Sequence, residues 1–171
     1  IVARMEAQKR IDLSLNIANK LIQKHKNIFF LYFGDGPLEY EMSTLAYKLG
    51  INKNVKFMGF VPNVKYYIKY FDVILFTSDW EGLPLALWEA MASGTPIVST
   101  DVGGINEIIG KENCGIIFPQ NSVQEGTISI EKVLFHNELK KKLSQNALLA
   151  MESKYSLPSF IKTMESFYNE I

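Results

Sequence analysis

Between residues 77 and 89 the chain reads Thr77-Ser78-Asp79-Trp80-Glu81-Gly82-Leu83-Pro84, then Leu85, Ala86, Leu87, Trp88 and Glu89. Pro84 suits the first position of a helix, where the N–H it lacks would have no partner anyway. The next amides, those of Leu85 and Ala86, then have no carbonyl one turn back. They point out of the helix start, where the dipole favours an anion. Glu81 precedes this start and Glu89 lies in the helix. Carboxylates are poor phosphate ligands but good acceptors for hydroxyl groups. A helix start between two such acids suits a diphosphate flanked by sugars, as in a nucleotide sugar. Each acid also has a plainer reading, Glu89 as a solvated helix residue and Glu81 as a loop acid stabilised by the helix dipole. Asp79-Trp80-Glu81 could also be read as a metal-binding Asp-x-Asp, with magnesium held by carboxylates and phosphates. That reading is the weaker one, because Arg4 and Lys9 can supply positive charge without a metal.

Other segments could serve the same ligand. Arg4 and Lys9 offer a guanidinium fork and an ammonium point charge to phosphate oxygens, although either alone reads as a surface cation. Gly34-Asp35-Gly36-Pro37 and Gly103-Gly104 are turns that let backbone approach a ligand closely. The chain has no G-x-G-x-x-G after its first strand and no G-x-x-x-x-G-K-[ST], which argues against a dinucleotide dehydrogenase and a P-loop NTPase. It also lacks a G-x-S-x-G nucleophile elbow. His25 and His136 sit in polar helical stretches and read as exposed and idle.

The elements that must position these loops alternate. Strand-length apolar runs fall at residues 1–3, 28–33, 55–58, 73–76, 97–100 and 115–118. Helical spacing marks residues 11–22, 38–49, 64–70, 85–93 and 105–109, and everything after residue 122 reads as helix with a break at Pro158. Gly50 and Gly94 close two of these helices. Strands separated by helices imply βαβ units, and apolar residues on both alternations imply strands covered on both faces. The expectation is an α/β, Rossmann-like, doubly wound parallel sheet of about six strands forming one domain, residues 1–171. Ligands of such sheets sit outside the carboxyl ends of the strands, where every loop named above falls.

Composition limits the partners. The 171 residues suffice for one domain with a core, and 18 basic residues balance 18 acidic ones, so net charge gives no reason to expect a nucleic-acid partner. The run Lys140-Lys141-Lys142 reads as a solvated helix face. A single cysteine, Cys114, excludes an internal disulfide and reads as a small buried thiol. No apolar run approaches the roughly 20 residues of a spanning helix. These features fit a cytoplasmic protein. Ile1-Val2-Ala3 reads as a strand already under way, so an N-terminal domain is expected ahead of it.

Taken in order, the loops resemble the C-terminal domain of the retaining GT-B glycosyltransferases, group 1 (family four). Arg4-Met5-Glu6-Ala7-Gln8-Lys9 resembles that family's Gly-Arg-Leu…Lys opening, with Ala3 in place of the usual glycine. Gly34-Asp35-Gly36-Pro37 is similar to its Gly-x-Gly-Pro turn, and residues 54–61 to its Asn-Val-x-Phe-x-Gly-Phe-Val. Glu81-Gly82 with Glu89-Ala90-Met91-Ala92 resembles its Glu-x7-Glu signature. Gly94-Thr95-Pro96-Ile97-Val98 and Asp101-Val102-Gly103-Gly104…Glu107 complete the series. The resemblance implies that Arg4 and Lys9 hold the diphosphate and that Glu81 contacts the transferred sugar. Gly34 shapes the close turn beside the donor, and Gly59, Phe60 and Val61 wall the base. Gly82, Leu83, Leu85 and Ala86 present backbone to sugar and phosphate, and Glu89 accepts from the ribose. It further implies a UDP-, GDP- or ADP-linked sugar as donor, no cofactor or metal, a glycan or lipid acceptor held by the preceding N-terminal domain, and membrane contact, at the inner face, only through that domain. A non-catalytic nucleotide-binding module and a nucleotide-sugar epimerase are the alternatives.

Overall fold

The computed structural model describes residues 1–169. Strands β1 (Phe30–Tyr32), β2 (Val55–Phe57), β3 (Ile74–Phe76), β4 (Ile97–Thr100) and β5 (Gly115–Phe118) alternate with helices α1 (Ile11–Lys24), α2 (Glu39–Lys48), α3 (Lys65–Ile68), α4 (Leu85–Ser93), α5 (Gly103–Glu112) and α6 (Val123–Phe135). Helices α7 (Asn137–Ser153) and α8 (Leu157–Asn169) follow. The pairs β1–β2, β3–β4 and β4–β5 are all parallel. Residues 1–3 add a short stub beside β1: the Ala3 N–H donates to the Phe33 carbonyl and the Phe33 N–H to that of Ile1, both at 2.9 Å.

The six expected strands are thus present in two hydrogen-bonded pieces, β2–β1 with the stub, and β3–β4–β5. No ladder joins the pieces among the described residues. Instead a cavity of about 290 Å³ opens between them, walled in part by Ile1, Leu31, Val73 and Leu75.

Alternation along the strands builds two cores. Leu75 and Val98 join Phe30, Tyr32 and Phe118 in one cluster with α1, α2 and α6. Their neighbours Ile74, Phe76 and Ile97 join the other, with Ile68 of α3 and residues of α4 and α5. A period of two sends successive side chains to opposite faces, so helices cover the strands on both sides. Helix α7 serves both clusters, through Leu143 in the first and Ala147 and Ala150 in the second.

Several local expectations are corrected. Pro84 is the N-cap of α4 with extended backbone, one residue ahead of the expected first helical position. The late helical stretch breaks at residues 154–156. Pro158 is the second residue of α8, where a missing N–H is harmless. Helix α5 starts two residues earlier than its apolar spacing suggests, because Gly103 and Gly104 form its first turn. His25 is half-buried rather than idle: its ring lies 4.5 Å from that of Phe135 and its Nε2 lies 3.1 Å from the Glu131 carboxylate. His136 is exposed between α6 and α7. Cys114 is fully buried just before β5, and burial pushes its thiol up to about 11. Lys140 reaches Asp72 at 2.7 Å, while Lys141 and Lys142 are exposed on α7.

Candidate functional site

The chain after the stub, residues 3–10, threads past the ends of β1 and β3 and links two groups of loops. The first group is built on backbone contact. Gly34 adopts φ +128°, and a Cβ there would lie 2.1 Å from the Ala3 carbonyl oxygen. Only glycine fits such a position. The Gly34 N–H donates to the Gly59 carbonyl at 2.8 Å, the Met5 N–H to that of Asp35 at 2.7 Å, and the Leu38 N–H to that of Met5 at 3.1 Å. Three segments singled out in the sequence, at Arg4, Gly34 and Gly59, are therefore brought side by side. Phe60 is exposed beside them and Val61 half-buried.

The second group surrounds the start of α4. The Lys9 ammonium lies 2.6 Å from Glu81 Oε1, with their side chains only 18% and 7% exposed. The Ser78 hydroxyl donates to the same oxygen at 2.7 Å. Buried polar groups of this kind persist only when paired, and here the two opposite charges pair each other. The loop they occupy is stitched to its neighbours. Gln8 Nε2 donates to the Trp80 carbonyl at 2.7 Å, the Thr77 hydroxyl to that of Lys9 at 2.8 Å, and the Thr100 hydroxyl to that of Ser78 at 2.7 Å. Helix α5 presses from the far side, since a Cβ on Gly104 would lie 2.1 Å from the Gly82 carbonyl oxygen.

The face towards solvent is open. Gly82, Leu83 and Leu85 are exposed, and nothing lies within 4 Å of a Cβ built on Gly82. The first turn of α4 closes with the Leu87 N–H on the Pro84 carbonyl at 2.9 Å. The amides of Leu85 and Ala86 precede that bond and have no carbonyl one turn back. Glu89 is half-buried on the second turn, and its side chain makes no hydrogen bond or ion pair among the described residues. An open helix start, an ammonium and two carboxylates together can bind an anion flanked by hydroxyl groups.

Two predicted residues stand differently from the rest. Arg4 is not gathered with Lys9 and Glu81: its guanidinium is 69% exposed and lies 2.9 Å from Glu6 Oε1. Asp79 and Glu81 turn to different cations, Asp79 to Arg10 at 2.9 Å and Glu81 to Lys9. Among the described residues no group of three or more His, Cys, Asp or Glu side chains converges.

Sequence reasoning missed the polar side chains that hold the loop at residues 78–81 in place, namely Gln8, Arg10, Ser78, Thr100 and Gln120. Gln120 Nε2 donates to the carbonyl of Asp79 at 2.7 Å. Their bonds run mostly between elements far apart in the chain, so local spacing holds no sign of them. Ser78 and Asp79 lie just after β3, and their polarity at a strand end is the available signal.

The sequence profile of the family described as Glycosyl transferases group 1 matches residues 1–149. An uncharacterized glycosyltransferase of Methanocaldococcus jannaschii is 32% identical over 172 residues, covering 98% of this chain and 43% of the relative. The alpha-D-kanosaminyltransferase of Streptomyces kanamyceticus is 27% identical, covering 99% of this chain and 45% of the relative. The chain thus spans less than half the length of these two relatives. Among solved structures, Anabaena HepE in complex with UDP superposes with a TM-score of 0.89 at 18% identity, over 99% of this chain and 48% of that one. The matched residues include both loop groups and the sheet that carries them, and the chain belongs to the glycosyl transferases group 1 family.

Proposed function

We propose that this chain is the donor-binding domain of a retaining glycosyltransferase. It holds a nucleoside-diphosphate sugar whose sugar moves to a glycan or lipid acceptor, in polysaccharide or glycolipid synthesis. The observation that carries the reading is the Lys9–Glu81 pair at the uncovered start of α4. Lys9 has three N–H donors, so it can keep Glu81 while giving a second bond to a phosphate oxygen. Glu81 then offers its other oxygen to a sugar hydroxyl, and Glu89 accepts from the ribose. Arg4, free to rotate because it is exposed, adds a second cation to the diphosphate. Gly34 and the backbone of Gly59, Phe60 and Val61 form the side against which the base lies.

The chemistry follows from where charge develops. As the sugar–phosphate bond breaks, negative charge gathers on the leaving diphosphate. Fixed donors stabilise that charge most when they are already in place. Lys9, Arg4 and the amides of Leu85 and Ala86, at the positive end of α4, supply such donors without a metal. The acceptor and a second wall of the cleft belong to an N-terminal domain in this reading. The chain by itself then binds nucleotide and transfers nothing.

The neighbour solved with UDP makes UDP the first ligand to try. Calorimetric titration of the chain with UDP, GDP and ADP is expected to show binding to one of them. Glu89→Ala should weaken it roughly 10- to 150-fold, the equivalent of the ~1.5–3 kcal/mol carried by a hydrogen bond to a charged group. Absence of binding to all three nucleotides would overturn the reading, and an unchanged affinity in Glu89→Ala would remove Glu89 from the ribose.

A further inference from the structure

Arg10 stands out in the backbone. It has φ 46° and ψ 51°, in the left-handed region, and it joins the short 3-10 turn Ala7–Lys9 to α1. A side chain is disfavoured there, and glycine would take the same turn without strain. Such residues persist when their surroundings over-determine them, and they cluster at functional sites.

The surroundings of Arg10 are on three elements. Its Nε and Nη2 both donate to the Asp12 carboxylate at 3.0 Å, a forked contact at the start of α1. Its Nη1 donates to Asp79 Oδ1 at 2.9 Å and also to Asn121 Oδ1. Asn121, in the loop after β5, is itself left-handed at φ 59°. Asp79 is further tied to the same turn, because its N–H donates to the Gln8 carbonyl at 2.9 Å. Lys9 is the residue before Arg10, and Glu81 lies two residues after Asp79. The guanidinium therefore bridges the turn that carries the cation of the donor site and the loop that carries its carboxylate.

We propose that Arg10 is a positioning residue: it fixes the separation between Lys9 and Glu81, and with it the register between the diphosphate and the transferred sugar. The inference rests on the donor-site reading above. It explains why this turn keeps an arginine where glycine is cheaper. A lysine would not serve equally, since only the planar fork reaches Asp12 in two bonds while the remaining nitrogen spans to Asp79.

The test uses Arg10→Gly and Arg10→Lys, with nucleotide affinity, melting temperature and hydrogen exchange of residues 78–82 as readouts. Arg10→Gly relieves the left-handed backbone while cutting the bridge. The expected result is a melting temperature close to the parent's, nucleotide affinity at least tenfold weaker, and faster exchange at residues 78–82. Arg10→Lys should fall between the two. Asp79→Ala should weaken binding in the same direction, and combining it with Arg10→Gly should add little, because both remove one bridge. A lowered melting temperature with unchanged affinity and unchanged loop exchange would make Arg10 a stabilising residue only, and would overturn the inference. The two readings fail separately. A parent chain that binds none of UDP, GDP and ADP refutes the donor site, and loop exchange still decides whether Arg10 holds the loop.

Discussion

Replacing Gly104 by alanine puts a methyl group into the backbone of the loop at residues 81–83. The added Cβ would lie 2.1 Å from the Gly82 carbonyl oxygen and 2.6 Å from its carbon, whereas ordinary contact begins at 3.4 Å. The loop at residues 81–83 or the start of α5 must therefore shift by about 1.3 Å, the difference between ordinary contact and the 2.1 Å approach. Neither partner is a flexible side-chain end, so the strain falls on backbone. Overpacking of this kind costs typically 1–3 kcal/mol. For a domain of this size each kcal/mol lowers the melting temperature by roughly 2–4 °C. A displacement near 1 Å also pulls Glu81 from Lys9, so nucleotide affinity should fall together with stability. Gly82→Ala is the control. Its Cβ meets nothing within 4 Å, so it should leave the melting temperature near the parent's while intruding on bound nucleotide. Differential scanning fluorimetry and calorimetric titration with UDP on both variants separate the effects. A Gly104→Ala chain as stable as the parent, with full affinity, would refute the account of how α5 shapes the loop.

Three further outcomes are expected. The Cys114 thiol, buried and pushed up to about 11 by that burial, should react with a thiol reagent at pH 8 no faster than the chain unfolds, and rapid labelling of folded protein would contradict its placement. Glu112 is held below its ordinary value of 4.5, chiefly by the hydrogen bond from Lys154 with a further one from Tyr155. A depressed carboxylate leaves the unfolded state binding more protons, so its contribution is complete above about pH 4.5 and disappears as pH falls through the folded value. Melting curves should show Glu112→Gln losing less stability than the parent between pH 5 and pH 3, and parallel profiles would refute this. Glu81→Gln should weaken UDP binding less than Glu89→Ala does, because the amide oxygen can still accept from Lys9 and Ser78. The reverse order would reassign the two acids.

Much of this was legible in the chain because it rests on local chemistry. Helix α4 ends where Gly94 takes φ 67°, and β4 and β5 begin and end where their apolar runs do. The turns at Gly34 and Gly104 announced themselves as glycine, though not which backbone they touch. What stayed hidden depends on residues distant in sequence. The bond from Arg10 to Asp79 spans 69 positions and that to Asn121 spans 111, and no periodicity records such pairs. Arg4 reads as a phosphate ligand, yet its guanidinium pairs with Glu6, two residues away. The gap between the stub and β3 depends on ladder geometry, which apolar content does not specify.

Helix α7 places Leu143 in one core and Ala147 and Ala150 in the other. Strands β3 and β4 already send alternate residues into both clusters, and α7 adds a second tie between the same two. A single rigid helix anchored in both makes the loss of either cluster strip contacts from the other. Denaturation should then be one concerted event despite the break in the strand ladder. The loops of the candidate site, raised on strands from both pieces, share one frame because the first cluster already packs Phe30 and Tyr32 of one piece against Leu75 and Val98 of the other.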